Sequence, residues 1–311
     1  MRILLIVNTS ASSVTARTRV VIGKALAADH RVTVAETSRR GHATRLAQSA
    51  AASGADVVVV LGGDGTLNEA ANGLAGTPTA LGALPGGSTN VFARTIGMTN
   101  DPIEATGELL GALARGSVRP IGLGRVNGRY FLFHVGIGFD AAVVDQVERR
   151  SHLKRYAGHP LFVYAGFSTW FRHYDRSRPH LTLALEDPGA LGDGGRAVPG
   201  YFAICLNSTP YTFLGSRRLN LAPDAAFDQG LVVLNFRTIR FWPVLGVLAS
   251  ALGSGDRIRH HRRVDYHRDV GRAVVTASGE PLPYQVDGDY VGEVDRLVVE
   301  HEPEALRLVM P

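Results

Sequence analysis

The chain has 311 residues, 45% of them apolar and 20% charged, with a formal net charge of +5. That balance excludes an intrinsically disordered chain, and the length favours two domains over one core. One cysteine, Cys205, excludes an intramolecular disulfide and fits a reducing cytoplasm. The thiol sits in the apolar run YFAICLN and reads as a small core hydrophobe rather than a nucleophile.

The first elements alternate. RILLIVN, at the start, reads as a buried strand, too short for the apolar core of a signal peptide. VTARTRVVIGKALAAD follows with Val14, Val21, Ala25 and Leu26 at helical spacing. RVTVAET is a strand, and HATRLAQSAAASG is an alanine-rich helix closed by Gly54. DVVVVLG is apolar at consecutive positions, as a strand covered on both faces would be. TLNEAANGLAG is a helix and TALGALP a strand. This rhythm predicts an α/β domain, a parallel sheet with helices on both faces, over residues 1–121.

From residue 122 to 311 the pattern changes. Asn127-Gly128 between two strand-like runs is a strong hairpin signal. PHLTLALE, YFAICLN, GLVVLNF, RVDYHRD, RAVVTAS and RLVVEHE then predict a mostly antiparallel, sandwich-like β-rich domain. Helical insertions fall near 139–174 and 240–252, the last residues could pack back on the first domain, and 187–200 reads as a hairpin tip. FWPVLGVLASALGSG, from Phe241, falls short of the ~18 apolar residues a bilayer span needs and reads as a core helix.

Two turns carry the chemistry. In VVVVLGGDGTLNEAANG an apolar strand runs into Gly62, Gly63, Asp64 and Gly65, and a helix begins at Thr66. Glycines there can take positive φ and admit a ligand to the backbone, while helix N–H groups favour an anion. Asp64 would repel a bare phosphate, so it implies a mediating cation such as Mg²⁺ or, with no ligand, an N-cap. Glu69 would cap the first helical turn or reach a nucleotide. LGALPGGSTNVFAR repeats the arrangement, with Ser88, Thr89 and Asn90 before a helix. In a doubly wound sheet both turns would line one crevice at the strand C-termini. Neither is a Walker A loop, and the first strand lacks GxGxxG.

GGDGTLNEAANGL followed by LPGGSTNVFAR resembles the catalytic domain of the diacylglycerol kinase family of lipid kinases. YFLFHVGIGFDAAVV, LAPDAAFDQGLVVLNF and YQVDGDYVGE sit where that family carries its later motifs, so the likeness covers nearly the whole chain. It implies a nucleotide-binding α/β domain and a β-rich lipid-binding domain. It also implies ATP as phosphoryl donor, Mg²⁺, and a lipid substrate at a membrane surface. By resemblance, nucleotide contacts fall on Asn8, Thr9, Ser10, Thr37, Gly63, Asp64, Gly65, Thr66, Glu69, Ser88 and Asn90. Asp228 falls on a metal motif, Asp287 and Asp289 on the catalytic one, and Asp64 is counted with them as a catalytic acid. A carboxylate within hydrogen-bond reach can take the proton of an attacking lipid hydroxyl.

The chain departs from the family at several points. Its first loop reads NTSASS rather than Asn-Pro-x-Ser-Gly. Asp289 stands where the family has a glutamate, and Val91 and Ile121 stand where it has aspartates. Asp228-Gln229-Gly230 replaces Asp-Asp-Gly. Three readings follow: a lipid kinase acting on diacylglycerol or a sphingoid-like lipid, an NAD kinase-like enzyme, or a catalytically silent nucleotide- or lipid-binding regulator. Scattered basic residues without a recognition motif argue against nucleic acid. RIRHHRR, with His260 and His261, reads as a solvated or anion-facing patch rather than a metal pair. Residues 148–176 mix basic and aromatic side chains. They would lie on an anionic membrane or cover the second domain's sheet. The expected place is cytoplasmic or peripheral on the inner membrane face, and edge strands leave a homodimer open.

Overall fold

A computed structural model describes residues 1–149, 175, 177–186 and 197–311. The basic stretch 150–174 and most of the expected hairpin tip lie outside the described residues. The chain forms two compact units, residues 1–123 with 303–311, and residues 124–302.

The first unit is α/β. Strands β1 (Arg2–Val7), β2 (Arg31–Glu36), β3 (Val57–Gly62) and β4 (Ala80–Pro85) form a parallel sheet in the order β2-β1-β3-β4. Every residue of β3 and β4 is buried, as the unbroken apolar run predicts. Helices α1 (Ala16–Ala27) and α5 (Pro102–Ala114) pack together, as do α2 (His42–Ala52) and α3 (Asp64–Leu74). Thr15 caps α1 with a reciprocal Thr15–Thr18 box. Asp101 caps α5, accepting from the amides of Ile103 and Glu104. The face expected of α1 is corrected: Ile22 and Leu26 are buried, whereas Val21 is 38% exposed. One step along a helix turns a side chain about 100°, so Ile22 and not Val21 aligns with Leu26.

Strands β5 (Val118–Val126) and β18 (Arg296–Val309) carry the chain from one unit to the other. Within the first unit, Arg307 and Leu308 of β18 pair in parallel with Ala80 and Leu81 of β4.

The second unit is a β-sandwich. Asn127 (φ 45°) and Gly128 (φ 87°) form the two-residue turn between β5 and β6 (Arg129–Phe131). One sheet has the order β14 (Val264–Val270), β13 (Leu231–Phe236), β10 (Phe202–Leu206), β7 (His134–Ile137), β16 (Leu282–Val286), β17 (Asp289–Val294). The facing layer pairs β18 with β15 (Arg272–Ala277), β15 with β8 (Leu181–Leu185), and β8 with β9 (Val198–Gly200). Ala203 and Cys205 of β10 enter the core between the layers. Phe202, Ile204 and Leu206 point the other way, into a second core with Val247, Ala251 and Ile258. That two-sided burial explains why YFAICLN is apolar throughout. It also pushes the Cys205 thiol up to about 12, which keeps it protonated.

Helix α7 (Phe241–Ala251) corrects a second expectation. Only Val247 and Ala251 are buried, while Trp242 is 77% exposed. It covers the sheet with one edge and turns an apolar face outward.

The α2–α3 contact rests on Gly73, where a Cβ would lie 2.5 Å from the Thr44 carbonyl oxygen and 2.9 Å from the Ala47 Cβ. Gly73→Ala should therefore lower stability by about 1–3 kcal/mol through overpacking. At Gly23 of α1 a Cβ would meet nothing within 4 Å. Gly23→Ala should raise stability by about 0.5–1 kcal/mol. Urea denaturation of the two variants checks the opposite signs.

Candidate active site

The C-terminal ends of the parallel strands gather the candidate residues of the first unit. β1 sits between β2 and β3, so the chain leaves β1 toward one side and returns to the other. Loops after β1 and β3 therefore part at a switch point, where open α/β sheets bind ligands. Asn8 closes this point: its Nδ2 donates to Thr66 Oγ1 at 2.9 Å, and its Oδ1 accepts from the Ser10 amide at 3.0 Å. Thr9 and Ser10 are exposed beyond it, and Thr37 follows β2 with its amide bonded to the Val7 carbonyl.

The glycines act differently from the expectation. Gly62, Gly63 and Gly65 are not among the positive-φ residues, and Gly63 is extended (φ −85°, ψ 178°) as the N-cap of α3. Close approach is the demand on the glycines of the second turn, Gly86 and Gly87. A Cβ on Gly86 would lie 2.8 Å from Gly62 Cα, and one on Gly87 2.8 Å from Gly63 Cα. The Gly86 amide donates to the Gly62 carbonyl at 2.8 Å. The two turns are packed backbone to backbone, which side chains would prevent.

The acids are also placed differently. α3 starts at Asp64, two residues before the expected Thr66. The Asp64 carboxylate accepts from the amides of Val91 and Phe92 at 3.0 and 2.9 Å. It thus caps α4 (Val91–Thr95) across the two turns. These amides, with the helix end behind them, supply the positive partner that the sequence reading assigned to a cation. Desolvation raises the Asp64 pKa, and the two amides and Arg94 oppose the rise. Glu69 accepts from the amides of Gly41 and Ala43 at 2.7 and 3.1 Å, so it caps α2 rather than its own helix. Asn90 is buried in the left-handed region (φ 52°), with its side chain bonded to both backbone groups of Gly87 and to Asn100 Oδ1. Ser88 beside it is exposed.

In the second unit, the Asp287 carboxylate accepts from the amides of Leu132, Phe133 and His134 at 2.8, 3.0 and 3.0 Å. Asp287 (φ 51°) and Gly288 (φ 84°) form the turn before β17. Asp289, the next residue, is partly exposed, 3.8 Å from Arg129 Nη2. Asp228 is exposed on the segment before β13. Among the described residues no group of three or more His, Cys, Asp or Glu could hold a metal ion. The described residues thus supply no resident Mg²⁺ site.

One polar cluster escaped the sequence reading. Asp140, on α6 (Phe139–Glu148), accepts from Tyr211 Oη at 2.6 Å and Gln285 Nε2 at 2.8 Å. Gly136 makes room for it: a Cβ there would lie 1.6 Å from Asp140 Oδ2. The His134 ring packs on Tyr211 with centroids 4.2 Å apart, and its buried Nδ1 has no partner among the described residues. The signal was an acid directly after GIGF, at a strand-to-helix turn.

Residues 2–126 match the diacylglycerol kinase catalytic domain family. The diacylglycerol kinase of Bacillus subtilis (strain 168) is 39% identical over 260 residues, 82% of this chain and 78% of that protein. A crystal structure assigned as a diacylglycerol kinase of Bacillus anthracis (strain Sterne) superposes with a TM-score of 0.76. It is 21% identical and covers 100% of this chain and 95% of that one. Yeast NADH kinase, complexed with NADH, reaches a TM-score of 0.54 at 11% identity, covering 100% of this chain and 84% of that one, a likeness of fold alone. The chain belongs to the diacylglycerol kinase family and is an enzyme of the lipid kinase class.

Burial lowers the His134 pKa from 6.5 to about 3. The unfolded chain therefore binds a proton that the native state excludes, and stability falls as pH drops from 6.5 toward 3. The expected slope from this group is about 1.4 kcal/mol per pH unit. His134→Phe, which keeps a ring on Tyr211, should flatten the decline seen by urea denaturation between pH 6.5 and 4.5.

Proposed function

We propose that the chain transfers the γ-phosphoryl group of ATP, entering as its Mg²⁺ complex, to a hydroxyl of a membrane lipid such as diacylglycerol or a sphingoid-like lipid. The observation that carries this is the pair of glycine turns after β3 and β4, packed backbone to backbone at strand C-termini, in a chain of this family. Backbone amides and the α3 dipole suit a polyphosphate there. Thr9, Ser10, Thr37 and Ser88 line the nucleotide site with hydroxyl groups. Gly63, Gly65 and Thr66 bring the backbone to the phosphates. Asn8, Asp64, Glu69 and Asn90, whose side chains are engaged with the turns and helix ends, act as positioning residues.

On the acceptor side, Asp289 is the general base. The lipid oxygen bonds to the γ-phosphorus, the bond to the β–γ bridging oxygen breaks, ADP leaves, and the hydroxyl proton passes to the Asp289 carboxylate. Asp287 holds the turn that presents it, through three amides. The Mg²⁺ accompanies the nucleotide; Asp228, which the resemblance sets on the family's metal motif, faces solvent. The work is done at the cytoplasmic face of a membrane.

Labelled ATP, Mg²⁺ and a lipid panel, with NAD as a further acceptor, test the assignment. Label is expected on a lipid. Label on NAD, or ATP binding without transfer, would replace the reading. Asp289→Asn should cut transfer by at least about a thousandfold while ATP affinity is kept. Asp64→Ala should abolish transfer and weaken ATP binding, because it unties the two turns.

A further inference from the structure

The outward face of α7 is apolar. Trp242, Leu245, Leu248 and Leu252 are 77%, 42%, 43% and 45% exposed. Their spacing of three, three and four residues sets them on one side of the helix, opposite the buried Val247 and Ala251. The helix itself contains no charged residue. It is anchored from below: it packs on β12 (Arg217–Leu219), the antiparallel partner of β11 (Thr212–Leu214), and on a short 3₁₀ helix (Asp256–His260). The Asn220 amide donates to the Ala251 carbonyl, and Asn220 Nδ2 to the Gly253 carbonyl. A fixed helix thus holds an apolar stripe in solvent.

Its rim has one sign. Residues 237–263 contain six arginines and one aspartate. That aspartate, Asp256, is paired with Arg259. Arg217, Arg218, Arg240, Arg257, Arg262 and Arg263 are exposed, and none has a carboxylate partner among the described residues. An apolar stripe carrying a tryptophan, with exposed arginines at its start, on the two elements it packs against and just after them, complements an anionic bilayer. Apolar side chains enter the acyl boundary, and guanidinium groups meet phosphates. Eleven helical residues are about 16 Å long, well short of the ~30 Å hydrocarbon core, so the helix would lie in the interface and not cross it.

We propose that α7 and its arginine rim are the surface by which this chain docks on anionic membranes. The proposal rests on the lipid kinase reading for its purpose, but its test does not depend on turnover. Co-sedimentation of the full chain is measured with phosphatidylcholine vesicles, with and without phosphatidylglycerol. The chain should bind the phosphatidylglycerol vesicles at least about tenfold more tightly, and salt should weaken binding. The variant Trp242→Ser/Leu245→Ser/Leu248→Ser should lose about tenfold or more in vesicle affinity, with thermal midpoint and ATP affinity unchanged. Arg257→Ser/Arg262→Ser/Arg263→Ser should lose the preference for phosphatidylglycerol. Wild-type vesicle affinity in the serine variant overturns the proposal. So does a dimer in sedimentation velocity that this variant dissociates while vesicle binding persists, since a second copy would then cover the face. Vesicle binding through α7 without phosphate transfer to any lipid would sink the kinase reading alone. Transfer to lipid in detergent micelles, with vesicle affinity intact in both variants, would sink the docking surface alone.

Discussion

The first unit turns on a carboxylate shared between two turns. Asp64 begins one helix and caps the next, while the glycines before each helix let the two backbones touch. Neither half would suffice. Without glycine the turns could not approach, and without the carboxylate the amides of Val91 and Phe92 would be left without that acceptor at a helix start. Glu69 repeats the device one helix further on, capping α2 from α3. The strand ends and helix starts of the first unit are thereby tied together by the chain's own carboxylates.

The second unit applies the same chemistry to a β-sandwich. Asp287 gathers three successive amides, from the residue after β6 to the first residue of β7, which fixes the turn that carries Asp289. Gly136 leaves the space in which Asp140 meets Tyr211 and Gln285. Carboxylates that look available in the sequence are thus mostly committed to the backbone. The family departures at Val91 and Ile121 are consistent with this economy. Val91 offers its amide to Asp64, and Ile121 is buried.

Two sequence expectations failed for related reasons. Positive φ is expected of the glycines in the first turn, as the conformation that would admit a ligand to the backbone. Instead those glycines are not at positive φ, and the demand for no side chain falls on Gly86 and Gly87 of the second turn, where a Cβ would lie 2.8 Å from the Cα atoms of Gly62 and Gly63. The α7 segment was expected in the core because it is apolar. Periodicity reports which residues share a face and not whether that face is covered; here Val247 and Ala251 are covered and Trp242 is not.

What the sequence determined by itself was local. Unbroken valines specified a strand buried on both faces, Asn127-Gly128 specified a hairpin, and the change of rhythm near residue 122 specified two kinds of architecture. Those properties depend on covalent neighbours and on side-chain period. The tertiary structure alone decided which amide each carboxylate would satisfy. Asp64 reaches 27 residues along the chain and Asp287 reaches 155. A hydrogen-bond acceptor carries no mark of its donor until folding brings the two together and takes water away.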